Sequence, residues 1–258
     1  MYKFLLVLLL SFSILEAKPQ ELKNNPFITK RARDEIAPFM LPSNHPLKST
    51  VENLFGIERV TLNEEAFANA GFVTLYSQPR SFIKVARHPL LPGYLVKTVL
   101  DSEPRQKKGM QSWEWFVRRC VGAKLMQKVI RNKRCQYFIV PQKYLHPLPA
   151  YPEVPDNYSR QIAILLVEEL DLVSEEENLL AWKTKITKEH LKELYSILTH
   201  SPGITLRPDN IVYTTDGKFA FIDTEYLRAR PYLSNIKHYL SDEMKAYWSK
   251  LRKKGKNY

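Results

Sequence analysis

LRPDNIVYTTDGKFAFIDTEY, residues 206–226, consists of two short apolar runs on either side of the polar turn sequence TTDG. Runs of β-branched and aromatic residues that flank Asp-Gly are typical of a β-hairpin. Asn210 precedes the first run and Asp223 ends the second. The hairpin would therefore hold an amide and a carboxylate close together, at a fixed separation that an unstructured loop would not give.

The segments before this hairpin predict a sheet followed by a helix. Residues 72–77, 81–88 and 93–100 are rich in β-branched and aromatic residues and are bounded by Pro and Gly. This pattern predicts three consecutive antiparallel strands. Residues 111–131 carry apolar side chains at steps of three and four, which predicts a helix. Residues 135–142, CQYFIVPQ, predict a further strand.

The second half of the chain alternates between loop, strand and helix signals. Residues 145–158 contain four prolines and are predicted to form a loop. Residues 161–170 are almost entirely apolar, which favours a strand at the centre of a sheet. Thr187 is placed to cap an amphipathic helix, and the last 30 residues are predicted to be helical.

The N-terminus has the pattern of a secretory signal peptide. An apolar run over residues 4–14 follows a basic start and precedes Ala17, which suits the residue before the cut. We therefore expect a signal peptide over 1–17 and a secreted or periplasmic protein, the alternative being an uncleaved anchor. No later run is long enough to span a bilayer, so we expect no transmembrane helix after cleavage. Residues 18–62, rich in Pro, Asn and Lys up to residue 50, are expected to form an extended or loosely attached N-terminal arm.

Composition limits the classes of function. The chain has 258 residues, is 44% hydrophobic and carries a formal charge of +12. It is large enough for one domain or one domain of two lobes. The charge favours phosphates, nucleic acid or an anionic surface, and the basic tail at 250–256 is the expected contact; a merely solvated basic surface is the alternative. Cys120 and Cys135 are too few for a disulfide framework or a zinc site, and leave open one bridge or two thiols.

Four polar positions stand out against this order of elements: Lys97 in the third strand, Glu114 early in the helix, and Asn210 and Asp223 beside the hairpin. In these positions the chain resembles the protein-kinase-like fold. YLVKTVL resembles the V-A-I-K strand, LRPDN resembles the end of the catalytic loop, and FIDTE stands where D-F-G would. In that family the Lys holds nucleotide phosphates, the Glu pairs with it, and the Asn and Asp hold divalent metal. Lys84, one strand earlier, is a rival to Lys97.

The resemblance implies an α+β, two-lobed protein-kinase-like fold with an antiparallel N-lobe sheet and a short, reduced helical C-lobe. The kinase-like domain would cover residues 63–258, with the N-lobe over about 63–168 and the C-lobe over about 169–258. It implies ATP with Mg²⁺ or Mn²⁺ as cofactors and a protein or small molecule of unknown identity as the phosphate acceptor. The residues implied at the nucleotide are Lys97, Glu114 and Glu168, and those implied at the metal are Asn210 and Asp223.

The chain also departs from the family pattern. Thr205 occupies the position of the catalytic Asp, and Thr is no general base near neutral pH. Asp209 lies beside Asn210 but is not assigned the base role. Gly71 is the one glycine where the family has a glycine-rich loop. Three hypotheses follow: an atypical phosphotransferase, a catalytically inactive pseudokinase that acts as a binding module, and a basic secreted protein that binds polyanions.

Overall fold

The computed structural model of the protein describes residues 20–78, 81–103, 110–201, 206–225 and 233–254. In these residues the protein is α+β, with helices packed on a five-stranded antiparallel sheet and beside a three-stranded mixed sheet. The expected signal peptide over 1–17 lies outside the described residues. In the described part of the chain, no helix combines the length and the apolar character needed to cross a bilayer.

Helices and strands alternate irregularly along the chain. The helices are α1 (Gln20–Lys23), α2 (Lys30–Ile36), α3 (Lys48–Gly56), α4 (Glu64–Asn69), α5 (Ser112–Lys133), α6 (Glu175–Thr184), α7 (Lys188–His200) and α8 (Asp242–Lys254). The strands are β1 (Val73–Gln78), β2 (Ile83–Arg87), β3 (Tyr94–Thr98), β4 (Phe138–Ile139), β5 (Lys143–Pro147), β6 (Ala163–Glu168), β7 (Ile211–Tyr213) and β8 (Phe219–Phe221). Short 3-10 helices cover Ala37–Phe39 and Asn235–Tyr239.

The large sheet has the strand order β1-β2-β3-β6-β5, and each neighbouring pair is antiparallel. The three predicted strands β1, β2 and β3 are confirmed, and β6 lies inside the sheet as its apolar sequence predicts. Alternate β6 side chains face opposite ways. Leu165 packs with Phe116 of α5 on one face, whereas Leu166 packs with Phe55 of α3 on the other. Helices therefore cover both faces of the sheet around β6.

The predicted loop over 145–158 is wrong at its start, because β5 runs to Pro147. This strand is at the edge of the sheet, where a proline at the strand end removes no ladder bond that the fold needs. Helix α6 was not predicted from the sequence. Its N-terminal signal is a capping box between Ser174 and Glu177. This signal is weak in the sequence because few apolar residues follow it at helical spacing.

The described part of the predicted N-terminal arm (18–62), residues 20–62, is not extended in the structure. Helix α2 begins at the cap residue Thr29 and buries Ile36 against the sheet, and α3 buries Phe55 on the opposite face. Arg59 then forms a buried, two-contact ion pair with Asp101, both bonds being 2.8 Å. Burial of large apolar side chains contributes about 1.5–3 kcal/mol each, so the arm is part of the domain core.

The small sheet lies in the second half of the chain. Strands β7 and β8 form the predicted antiparallel hairpin, and β4 adds to β8 in parallel. The hairpin packs with Trp182 of α6 and Trp248 of α8, both fully buried. The prediction that the last 30 residues are helical is confirmed for α8 and for the 3-10 helix before it, and residues 229–232 and 255–258 lie outside the described residues. The small sheet thus has its own core, formed with α6, α7 and α8.

The segment after β8 lies against α5, and Gly122 makes this contact feasible. A Cβ built on Gly122 would lie 1.8 Å from the carbonyl oxygen of Thr224. The Thr224 hydroxyl in turn donates to the carbonyl oxygen of Arg119, at 2.7 Å. The position of the chain immediately after the hairpin is therefore set by its contact with α5.

Replacing Gly122 with Ala tests this contact. We expect Gly122→Ala to destabilise the protein by about 1–3 kcal/mol, because the backbone of residue 224 must move away from α5. The matched control is Gly56→Ala at the end of α3, where nothing lies within 4 Å of the added Cβ. There the gain in helix propensity predicts a change of about 0.5–1 kcal/mol toward greater stability. Urea unfolding measures both, and equal effects would contradict the close approach.

Candidate functional site

The hairpin brings Asn210 and Asp223 to neighbouring positions. Ile211 pairs with Phe221 in the ladder, and the backbone N–H of Ile222 donates to the carbonyl oxygen of Asn210 at 3.0 Å. Asp223 is the next residue along the chain. The proximity predicted from residues 206–226 is thus present at the level of the backbone.

Four charged side chains gather where this segment meets the large sheet. Lys97 comes from β3, Lys143 from β5, Arg119 from α5 and Asp223 from the end of the hairpin. Each of the two lysines interacts electrostatically with both Arg119 and Asp223. We call these four residues the basic cluster. It joins the two sheets through one helix.

Arg119 and Asp223 form the central ion pair of the basic cluster. The Nε of Arg119 donates to Oδ1 of Asp223 at 3.0 Å, and its Nη2 donates to Oδ2 at 3.4 Å. Arg119 is buried, whereas the Asp223 side chain is one-third exposed, at 33%. Burial would by itself raise the pKa of Asp223, but the charges of Arg119, Lys97 and Lys143 outweigh it and lower this pKa to about 2. Asp223 is therefore ionised throughout the physiological range.

The third nitrogen of the guanidinium, Nη1, differs from the two that contact Asp223. Among the described residues, Nη1 of Arg119 is buried and has no hydrogen-bond partner. Such a donor costs about 1–3 kcal/mol when it is shut off from water, and more when it is charged. An unsatisfied donor of this kind in a native fold calls for a specific explanation.

Lys143 holds the segment after the hairpin from the side of the sheet. Its Nζ donates to Oγ1 of Thr224 at 2.6 Å and to the carbonyl oxygen of Ile222 at 3.1 Å. Burial, and then the positive charge of Lys97, lower the pKa of Lys143 to about 7. Burial, and then the charge of Arg119, lower the pKa of Lys97 to about 8. Both ammonium groups are therefore poised to change charge near neutral pH.

Glu114 is not brought to Lys97. One carboxylate oxygen of Glu114 accepts from Arg31 of α2 at 2.6 Å, and the other accepts from the backbone of Gln111 at 2.9 Å. The second contact belongs to the capping box of α5. The ion pair with Lys97 that the resemblance implies is thus replaced by a contact with the N-terminal arm.

The remaining predicted residues lie apart from the basic cluster. Glu168, at the end of β6, accepts from the backbone N–H of Gln142 at 2.8 Å, so its carboxylate fixes the start of β5. The rival lysine Lys84 is buried and forms an ion pair with Glu64 of α4. The structure therefore favours Lys97 over Lys84 as the lysine of the site.

The other residues singled out in the sequence have ordinary environments or fall outside the described ranges. Asp209 forms an exposed ion pair with Arg207, two residues away. Cys120 is buried, Cys135 is partly buried, and the two thiols are free rather than bridged. Burial raises the pKa of Cys120 to about 12, so it is an unreactive thiol. Thr205 lies outside the described residues.

Arg119 and Lys143 are the two members of the basic cluster that sequence reasoning missed. A signal for Arg119 was present, because it follows Phe116 by three residues and precedes Ala123 by four, so it falls on the buried stripe of α5. Lys143 carried a weaker signal. It lies just before the proline-rich segment that was predicted to be a loop, so its position in strand β5 was not predicted.

The donor set of the basic cluster does not fit a divalent metal as it is arranged. Asp223 is the one carboxylate among the four side chains, and Arg119 already occupies both of its oxygens. Mg²⁺ and Mn²⁺ need hard oxygen ligands, and three neighbouring cationic groups would repel them. A metal at Asn210 and Asp223 would compete with Arg119 for the carboxylate oxygens.

A comparison of the sequence with known protein-family models and with curated proteins finds no match.

The lowered pKa of Lys143 predicts a pH-dependent stability. The folded chain releases this proton near pH 7, whereas the unfolded chain keeps it to about 10.5. Between these values the unfolded state binds more protons, so the free energy of unfolding rises with pH, by at most about 1.4 kcal/mol per pH unit for one proton. Relative to Lys143→Met, the wild type should therefore gain stability from pH 7 to pH 10 in urea unfolding. A difference that stays constant with pH would show that Lys143 keeps an ordinary pKa.

Proposed function

We propose that the protein is a kinase-like domain that binds a nucleoside triphosphate, ATP in the first instance, through the basic cluster. The observation that carries this proposal is the electrostatic interaction between the side chains of Lys97 and Asp223. One lies on the third of three antiparallel strands, and the other follows a hairpin 126 positions later in the numbering, yet the two side chains interact. A third-strand lysine beside a carboxylate at the end of a hairpin is the pairing that phosphoryl-transfer sites of this type use.

The charge of the basic cluster supports a phosphate-bearing ligand. Three cationic side chains face one carboxylate, so the site is electropositive while the lysines are protonated. Phosphoryl groups are held in proteins by such charges and by N–H donors placed in advance. Strand β6, which leads to the segment that the resemblance places next to the adenine, lies between the strands that carry Lys97 and Lys143.

A second candidate is a pseudokinase, a module that binds the nucleotide without turnover. Two contacts favour it over an active phosphotransferase. Arg119 engages the carboxylate that would hold metal, and Arg31 engages Glu114, which would otherwise position Lys97. For an acceptor protein or small molecule to receive phosphate, both contacts would have to rearrange. We therefore propose nucleotide binding and do not include phosphate transfer in the proposal.

Thermal unfolding of the full-length protein with ATP tests the proposal, both with Mg²⁺ or Mn²⁺ and with chelator. We expect ATP at a hundredfold excess over Kd to add about 2.7 kcal/mol, which raises Tm by about 5 °C or more. Lys97→Met should lose this rise, because it removes the phosphate contact. The matched variant Lys84→Met, one strand away and paired with Glu64, should keep it.

Three outcomes are distinct in this experiment. No rise in Tm at millimolar ATP under either metal condition would refute the kinase-like proposal. An equal rise with heparin that high salt abolishes would instead indicate the third hypothesis, polyanion binding on the basic surface. A rise specific to ATP without transfer of its terminal phosphate would indicate the pseudokinase.

A further inference from the structure

We propose that Lys97, Arg119 and Lys143 form a polyphosphate-binding site that works without a divalent metal. In this site the guanidinium of Arg119 takes the place beside Asp223 that the resemblance gives to the metal. Only one part of this inference rests on the proposed function, namely that the ligand carries a nucleoside. The site itself is assigned from contacts and charges, and an inorganic triphosphate is its minimal ligand.

The first support is the charge arrangement. A metal ion in a phosphate site neutralises the phosphate oxygens and is held by carboxylates that surround it. In the basic cluster, cationic side chains outnumber carboxylates, with three cationic groups around a single carboxylate. The protein thus supplies from its own side chains the positive charge that a metal would bring. A divalent cation would be repelled by these three side chains, and the one carboxylate of the cluster is already paired with Arg119.

The second support is the unsatisfied donor on Arg119. A guanidinium has five N–H donors in a fixed fork, which matches the oxygens of carboxylates and phosphates. Asp223 satisfies the Nε and Nη2 edge, while Nη1 is buried and has no partner among the described residues. Arg119 therefore has capacity for an acceptor beyond Asp223, and a phosphate oxygen is an acceptor of the required charge.

The third support is that the site is built into the core and is not a patch of surface lysines. Lys143 is 6% exposed and Arg119 is 9% exposed. The Arg119 carbonyl, the Thr224 hydroxyl and the Lys143 ammonium form a continuous chain of hydrogen bonds of 2.7 and 2.6 Å. The close approach of Gly122 to Thr224 fixes the same segment. The positions of these cationic groups are therefore set before a ligand arrives.

A bound phosphate would also change the protonation of the lysines. Burial and mutual repulsion hold the pKa of Lys143 at about 7 and the pKa of Lys97 at about 8. The other titratable groups that act on them are Arg119 and Cys120 from α5 and Asp223 from the hairpin segment. An anion favours the charged form of both amines. Binding near pH 8 should therefore take up protons from the buffer.

Asp223 has opposite effects in the two kinds of site, and this gives a decisive variant. In a metal site the carboxylate is a ligand, so Asp223→Asn weakens binding. In the metal-free site the carboxylate competes with phosphate for Arg119 and repels it, so Asp223→Asn strengthens binding. The substitution keeps the size of the side chain and removes one negative charge.

The experiment is calorimetric titration of the full-length protein with inorganic triphosphate and, separately, with ATP, each in EDTA and in excess Mg²⁺. We expect triphosphate to bind in EDTA, and excess Mg²⁺ to weaken binding by neutralising the ligand. Lys143→Met should weaken binding at least about tenfold, since a hydrogen bond to a charged group is lost. Asp223→Asn should tighten it at least about threefold in EDTA.

The control is Lys192→Met, which removes the same charge from an exposed position on α7. It should leave the affinity within about twofold of the wild type at physiological salt, where distant surface charges are screened. Titration in two buffers of different ionisation enthalpy measures the proton uptake. Far-ultraviolet circular dichroism confirms that each variant is folded, and the wild-type comparison of EDTA with Mg²⁺ needs no variant.

The outcomes separate this inference from the proposed function. Binding of either ligand only when Mg²⁺ is present would overturn the metal-free site and leave nucleotide binding intact. Triphosphate binding in EDTA without any preference for ATP would support the site and count against a nucleotide as its ligand. No binding of triphosphate or ATP in EDTA would overturn the inference outright. A loss of affinity in Lys192→Met equal to that in Lys143→Met would also overturn it, because general surface charge would then explain the binding.

Discussion

The ion pair between Arg119 and Asp223 is the constraint on which the arrangement of the site depends. Asp223 belongs to the hairpin of the small sheet, and Arg119 lies on the helix that packs against the large sheet. Without Asp223, the buried guanidinium of Arg119 would keep its charge and lose both of the carboxylate oxygens to which it donates. Removal of one partner from a buried pair is strongly destabilising for that reason. The pair therefore ties the hairpin segment to α5 and sets the charge balance of the basic cluster.

Of the residues that the resemblance to protein kinases implies, Lys97 and Asp223 interact in the structure, and the charges around them differ from the implied ones. Lys97 and Asp223 interact, yet the charge that acts most strongly on each of them is that of Arg119, a second cation, and not that of Glu114. The glutamate is held instead by the N-terminal arm, through Arg31. A site with this composition is suited to holding anionic oxygen atoms. The cluster is less suited to holding a metal ion that would bridge to phosphate oxygens. Nucleotide binding by this chain therefore does not imply transfer of phosphate.

Much of the framework could be predicted from the sequence, because it depends on local patterns. The hairpin over 206–226, the three strands before α5 and the cap at Thr187 each follow from turn residues, β-branched runs or helix spacing within a few positions. The arrangement of side chains in the site could not be predicted in the same way. Arg119 lies among apolar neighbours in the sequence, and its partner is 104 positions away. Its role becomes visible only when the segment after β8 is packed on α5.

The N-terminal arm illustrates the same limit. Its many prolines and polar residues suggest an extended chain, but its scattered apolar residues fall on faces that meet the two sides of the large sheet. Burial on a surface formed by distant strands overrides the weak local preference. Lys143 was missed for a similar reason, since the prolines after it suggested a loop where the edge strand β5 forms.

A double-mutant cycle on Arg119→Met and Asp223→Asn tests the central claim most directly. The free energies of unfolding of the wild type, both single variants and the double variant are measured by urea unfolding at pH 7. The account predicts that each single substitution destabilises the protein and that the double variant loses less than their sum, with a coupling of about 1–3 kcal/mol. Additive effects, within about 0.5 kcal/mol, would show that the two side chains do not interact and would contradict the account.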